Sequence, residues 1–262
     1  MFFIREKNGF RYAGFERFND RSMVSGFSVK TAMDDPLNFA LHTGDDPSKV
    51  LSSRKRFFPL FSIDPLRIVS PLQVHGDAIL TPGPQDKGLG AKTCQGLPEA
   101  DAVILTRPGI PAMILTADCI PFQIRVLDRP LGGLVHSGWK GAQKGILAKV
   151  VKTFIMKHSA DPARILIAAG PHIRPCCYEV QDDFRQNFDN AFFVESGGRT
   201  RFDLLKASLK GVEELGILRK HIFDSGFCTA CNPEYFPSHR RDGSCHRMAS
   251  FLMFRYPDQT GI

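Results

Sequence analysis

The sequence predicts an α/β protein, a layered α/β/α sandwich around a mixed β-sheet, folded as a single domain over residues 1–262. Three observations carry that expectation. Apolar runs of strand length recur along the chain, helix-like stretches lie between some of them, and no break in composition marks a domain boundary.

The runs are Leu66–Val69, Ala102–Leu105, Ala112–Leu115, Phe122–Val126, Gly132–Val135, Ile165–Ala169 and Ala249–Phe254. Each has the length of a strand, and near-continuous apolar character suits a strand covered on both faces. Helix is expected over 142–157, 182–190 and 203–215. In the first stretch Ile146, Val150, Val151 and Phe154 share one face at helical spacing. Residues 81–98 are rich in Gly and Pro and read as a surface excursion. Gly88-Leu-Gly90 lies there without a strand before it or a helix after it, so it is no dinucleotide fingerprint.

Composition narrows the classes. The 43% apolar and 23% charged content of 262 residues is that of a globular chain with a core large enough to need no staples. Seven cysteines, no apolar leader and no apolar stretch of membrane-spanning length point to a reducing, cytoplasmic setting, where cysteines serve as ligands, nucleophiles or core. Lys and Arg exceed Asp and Glu by seven, which favours anionic partners. The basic residues are dispersed, with Arg54-Lys55-Arg56 the densest cluster, so neither nucleic acid nor membrane is the expected partner.

Three apolar runs stop abruptly in ligand-type residues: at Thr116-Ala-Asp118-Cys119, at His136-Ser-Gly-Trp139-Lys140-Gly141 and at Gly170-Pro-His172. Loops at strand ends are where sheet proteins gather ligands. His75, in Gln73-Val-His75-Gly76, joins Cys119 and His136 as two imidazoles and one thiol, a donor set for zinc with an open fourth position. The same residues also read as a buried thiol with two ordinary histidines, or as a Cys119 nucleophile with His136 as its base. Asp118 sits beside either site. Cys228-Thr-Ala-Cys231 reads as half a metal knuckle or a packed turn. Cys176-Cys177 is set aside, since adjacent cysteines rarely share one ion. Arg240-Arg241 before Asp242-Gly243 reads as a turn offering two guanidinium forks to phosphate, or as a solvated basic turn. Lys140 offers a further positive charge, and Trp139 either stacks on a base or packs in the core.

Taken in order, Gln73-Val-His75-Gly76, Thr116-Ala-Asp-Cys119, His136-Ser-Gly-Trp-Lys-Gly141, the segment from Gly170 to Glu179, Cys228-Thr-Ala-Cys231 and Arg240-Arg-Asp-Gly243 resemble the YfiH family. That family was formerly labelled multicopper polyphenol oxidase and is now described as purine nucleoside phosphorylase. An upstream stretch from Leu37 to Asp46 resembles its N-terminal signature. The resemblance implies a metal held by His75, Cys119 and His136, zinc with copper as the alternative. It implies catalytic roles at Cys119, His136 and Asp118, and substrate binding at Asn38, Gln73, Lys140, Arg240 and Arg241. The implied substrates are a purine nucleoside and inorganic phosphate, with phosphorolysis of adenosine, inosine and methylthioadenosine and deamination of adenosine. Zinc would activate water for the deamination. The family's likeness to cysteine hydrolases keeps a Cys119 nucleophile in play. A copper oxidase would need several histidine-rich sites, and the chain has eight histidines and no His-X-His pair. Ser137, Arg174 and the pair Cys245-His246 before Arg247 depart from the family pattern, where Ala, Gly and Thr-Gly before Arg are usual.

Overall fold

The computed structural model describes residues 1–30 and 37–256. In chain order the strands and helices are β1 (Phe2–Lys7), β2 (Phe10–Phe15), β3 (Met23–Ser28), α1 (Pro47–Phe57), β4 (Ile79–Leu80), β5 (Ala102–Leu105), β6 (Ala112–Thr116), β7 (Ile120–Val126) and β8 (Gly132–Ser137). Then follow α2 (Trp139–Gln143), α3 (Ile146–His158), β9 (Ile165–Ala169), β10 (Phe193–Ser196), β11 (Arg199–Phe202), α4 (Leu204–Ser208), β12 (Ile222–Asp224), α5 (His239–Asp242) and β13 (Met248–Phe254).

The mixed α/β class holds, with one refinement: the central layer is two sheets. Five antiparallel strands run in the order β1-β2-β3-β13-β6. Six strands run β12-β9-β7-β8-β5-β4, parallel at the two outer pairs and antiparallel between. Phe27, Ile114 and Leu252 of the first sheet meet Leu134, Leu166 and Ala168 of the second in one buried cluster. The outer face of the six-stranded sheet packs on Ile146, Val150 and Phe154 of α3. The outer face of the five-stranded sheet packs on Phe57 and Phe58 at the end of α1. Burial on both faces explains the unbroken apolar runs. One polar side chain crosses between the sheets: Gln123 on β7 accepts from Ser25 Oγ at 3.0 Å and donates to the Gly26 carbonyl at 3.1 Å and Ser250 Oγ at 3.2 Å.

Six of the seven expected strands form. Leu66–Val69 does not: Asp64 caps a 3₁₀ turn over Pro65–Arg67, Leu66 is exposed, and Val69 alone bridges to Ala112. The helix expected over 142–157 starts earlier as α2 and restarts as α3, because Gly145 at φ 66° interrupts it. The stretch 182–190 is 3₁₀ rather than α, and 203–215 shrinks to α4 plus a 3₁₀ turn. The single-domain expectation over 1–262 also takes in 31–36 and 257–262, which lie outside the described residues. No helix among the described residues is long and apolar enough to cross a membrane.

Candidate metal centre and its cavity

The centre lies where the chain passes from one sheet to the other. β6 belongs to the five-stranded sheet and β7 to the six-stranded sheet, and the connector between them carries Asp118 and Cys119. Asp118 takes a φ of 84°, a left-handed conformation costly for a residue with a side chain. β7 pairs with β8 so that Pro121 faces His136 and Ile120 faces Ser137. The next pair along places Gly138 against Cys119. A Cβ there would lie 2.9 Å from Cys119 Sγ and 3.0 Å from His75 Cδ2, so only glycine admits both side chains.

His75 sits in the loop before β4, also left-handed at φ 58°. What holds it there is Asp101, at the mouth of β5. Its carboxylate accepts from the main-chain N–H of Val74, His75 and Gly76 at 3.2, 3.0 and 2.6 Å. The same carboxylate bonds His136 Nδ1 at 2.7 Å, which leaves Nε2 as the nitrogen free to meet the Cys119 sulfur. Asp101 has no exposed surface. Burial opposes its charge, but the His136 bond and the main-chain donors hold its carboxyl below the usual range.

One ligand atom from each of His75, Cys119 and His136 lies within 4.8 Å of the others. Burial alone would raise the Cys119 thiol, yet the charge of His136 and the two imidazoles beside it draw it down to about 6. Burial likewise works against a proton on His136, while the Cys119 thiolate and Asp101 hold it, up to about 9. The donor set, two imidazoles and a readily ionised thiol with a carboxylate behind one imidazole, fits a divalent zinc-type ion with an open position.

The three donors face a cavity of about 620 Å³, also lined by His42, Gln73, Asp118, Ile173, Tyr178, His239, Arg240, Cys245 and Arg247. That volume lies within the range of small-molecule sites. Residues 21–255 match the family described as multi-copper polyphenol oxidoreductase laccase. Among similar chains, purine nucleoside phosphorylase YlmD of Geobacillus stearothermophilus is 32% identical over 226 residues, 82% of each chain. Purine nucleoside phosphorylase YfiH of Escherichia coli is 31% identical over 224 residues, 83% of this chain and 86% of the other. The chain belongs to the YfiH family. The crystal structure of YlmD from Geobacillus stearothermophilus superposes with a TM-score of 0.88 at 30% identity, covering 96% of this chain and 98% of that one. The YfiH protein of Bacillus licheniformis, described as hypothetical, superposes at 0.87 and 28% identity, covering 96% and 99%.

Within this YfiH-family cavity the residues singled out from the sequence divide. His75, Cys119 and His136 converge, and Asp118 and Arg240 line the same space. Asp118 spends one carboxylate oxygen on Thr229 Oγ1 at 2.6 Å and the other on the Arg240 N–H at 2.7 Å. Gln73 lines the cavity too, but its amide pairs with the Leu115 main chain at 2.8 and 2.7 Å and so ties the His75 loop to β6. Three expected binding residues lie elsewhere. Asn38 is buried, accepting from Ala40 N and Arg247 N and donating to Asp45. Arg241 turns away to the carbonyls of Thr229, Ala230 and Phe236 and to Asp242. Lys140 sits over the Trp139 ring at 5.5 Å, and Trp139 packs edge-on against Phe184 at 5.3 Å, as core.

Several groups were missed. Asp101 had one signal, a lone acid abutting the apolar run of β5. Arg247 lines the cavity, and His42, drawn below its usual value by burial and then by Arg247 and Arg54, faces it as a neutral imidazole. Cys245 and His246, the departures from the family pattern, converge with Asp45, and Cys245 lines the cavity.

Proposed function

We propose that the chain is a zinc-dependent purine nucleoside phosphorylase, cleaving adenosine, inosine and methylthioadenosine to the free base and ribose 1-phosphate, with adenosine deaminase activity at the same site. The observation that carries this reading is the convergence of His75, Cys119 and His136 within 4.8 Å at the wall of a cavity of about 620 Å³ that also presents Arg240 and Arg247. The names of the family's relatives agree with it. Zinc bound by these three residues supplies Lewis-acid activation of water or substrate oxygen.

The rest falls to the protein. Arg240 and Arg247 place positive charge where phosphate enters, one from α5 and one from the segment before β13. Arg240 is aimed by its backbone bond to Asp118 and by a guanidinium bond to the Glu179 carbonyl at 2.7 Å. Arg247 is fixed through its main-chain N–H by Asn38, which therefore serves phosphate at one remove. The neutral His42 imidazole offers one donor and one acceptor to a purine edge. In deamination a proton must pass from attacking water to departing ammonia. Asp118 keeps a second lone pair on each oxygen for that shuttle.

Incubating zinc-loaded protein with adenosine, with and without phosphate, tests the reading. Adenine and ribose 1-phosphate are expected with phosphate, and inosine without it. Consumption of no nucleoside would refute it, and several coppers per chain in the metal analysis would shift it toward phenol oxidation.

One arrangement supports a second reading. Cys119, His136 and Asp101 stand in the order nucleophile, base and orienting acid of a cysteine hydrolase. Activity that survives chelation but is lost to a thiol alkylator would select it.

A further inference from the structure

Four other cysteines meet away from the cavity. Cys228 and Cys231 come from the segment after β12, and Cys176 and Cys177 from the segment after β9. One sulfur from each lies within 4.8 Å of the others, with Cys176–Cys231 at 3.5 Å and Cys177–Cys231 at 3.3 Å. Four sulfurs bound to one zinc at about 2.3 Å stand about 3.8 Å apart along the tetrahedron's edges. These two spacings fall within about 0.5 Å of that value. All of these cysteines are free thiols.

Adjacent cysteines rarely share one ion because on extended backbone neighbouring side chains point to opposite faces. Here the N–H groups of Cys177 and Tyr178 both reach the Arg174 carbonyl at 2.9 Å, closing a helical turn. Successive side chains on such a turn diverge by only about 100°, and both sulfurs reach the same point. The Asn232 side-chain amide donates to the Cys228 carbonyl at 2.8 Å and closes the turn that carries the opposite pair. The guanidinium of Arg201 donates to the Pro175 and Cys176 carbonyls, and that of Arg241 to the Thr229 and Ala230 carbonyls. Each thus brings positive charge to one of the two cysteine segments.

We propose that Cys176, Cys177, Cys228 and Cys231 bind a second zinc ion in a closed, structural tetrathiolate site. Four thiols lose their protons on binding, leaving two net negative charges beside Arg201 and Arg241. The ion clips together two segments that both serve the cavity. One carries Ile173 and Tyr178, and the other carries Thr229, whose hydroxyl holds Asp118.

The test is metal analysis with zinc-edge X-ray absorption on protein purified under reducing conditions. The native chain should hold two zincs per chain. Cys119→Ala should keep one, in a shell of four sulfurs at about 2.3 Å. Cys231→Ser should lose one and keep the ion with nitrogen ligands. Loss of all zinc from Cys119→Ala, a residual shell of nitrogen and oxygen, or a Cys177–Cys231 disulfide in the reduced preparation would overturn the proposal. If Cys119→Ala does not fold, the native chain decides: five sulfur and two nitrogen protein ligands over two ions support the site, and a single zinc with nitrogen ligands refutes it. Failure of the cavity centre alone leaves one zinc with four sulfurs, so the two readings fail separately.

Discussion

The two clusters of ligand-type side chains are built on opposite plans. The cavity centre draws three residues from three separate places, His75 itself in left-handed backbone and Cys119 directly after the left-handed Asp118, and places them against open space. The cysteine cluster draws two close pairs from two turns, with no cavity lining among its members. Strained backbone and an open coordination position suit a site that turns substrate over. Relaxed turns and a complete set of four donors suit one that holds segments together. Both sets offer sulfur to an ion, but only the cavity set offers imidazole, and backbone conformation and access separate them further.

That contrast breaks first at Asp101. Asp101→Asn removes the charge behind His136 and weakens the acceptor for three main-chain donors. Loss of a partner of this kind typically costs 10- to 100-fold in metal affinity or activity, and a loss of about that size is expected here. Chelator competition should register it at the cavity centre and leave the ion of the cysteine cluster in place. Equal loosening of both would erase the distinction.

Gly138→Ala probes the close approach. The added methyl meets Cys119 Sγ and the His75 ring at about van der Waals overlap. Overpacking costs typically 1–3 kcal/mol, and a cost of about 1.4 kcal/mol within that range lowers metal affinity at the cavity about tenfold. Unchanged affinity would mean that the loop of His75 yields freely.

The smallest effect comes from the two arginines. Arg240→Ala, at an exposed site, should raise the Michaelis constant for phosphate by roughly fivefold, about 1 kcal/mol. Arg241→Ala should leave it unchanged and lower the melting temperature, because its guanidinium supports the segment of Cys228 and Cys231. A phosphate effect at Arg241 would place that residue back in the binding site.

Much of the sheet layer was legible because β5 to β9 and β13 are covered on both faces and read as unbroken apolar runs. The N-terminal hairpin was not, since β1 and β2 are only partly buried and mix Arg, Glu and Lys among their aromatics. That two sheets stand where one was expected depends on which runs pair, and β13 joins β3 and β6 across more than a hundred residues. Cys119 and His136 were legible as residues at which apolar runs stop, whereas His75 stands at no such stop. The directions of Asn38, Lys140 and Arg241 were not, because a long polar side chain on a turn takes its aim from carbonyls and rings supplied by distant segments.

The crossing between sheets has a mechanical consequence. Cys119 rides on the strap that joins the two layers, whereas His136 is anchored in one of them. Sliding one layer past the other would draw sulfur from imidazole, and the Gln123 amide, reaching across to Ser25, Gly26 and Ser250, is a bolt against that shear. The grip on an ion at the cavity therefore doubles as a gauge of how firmly the sandwich is locked.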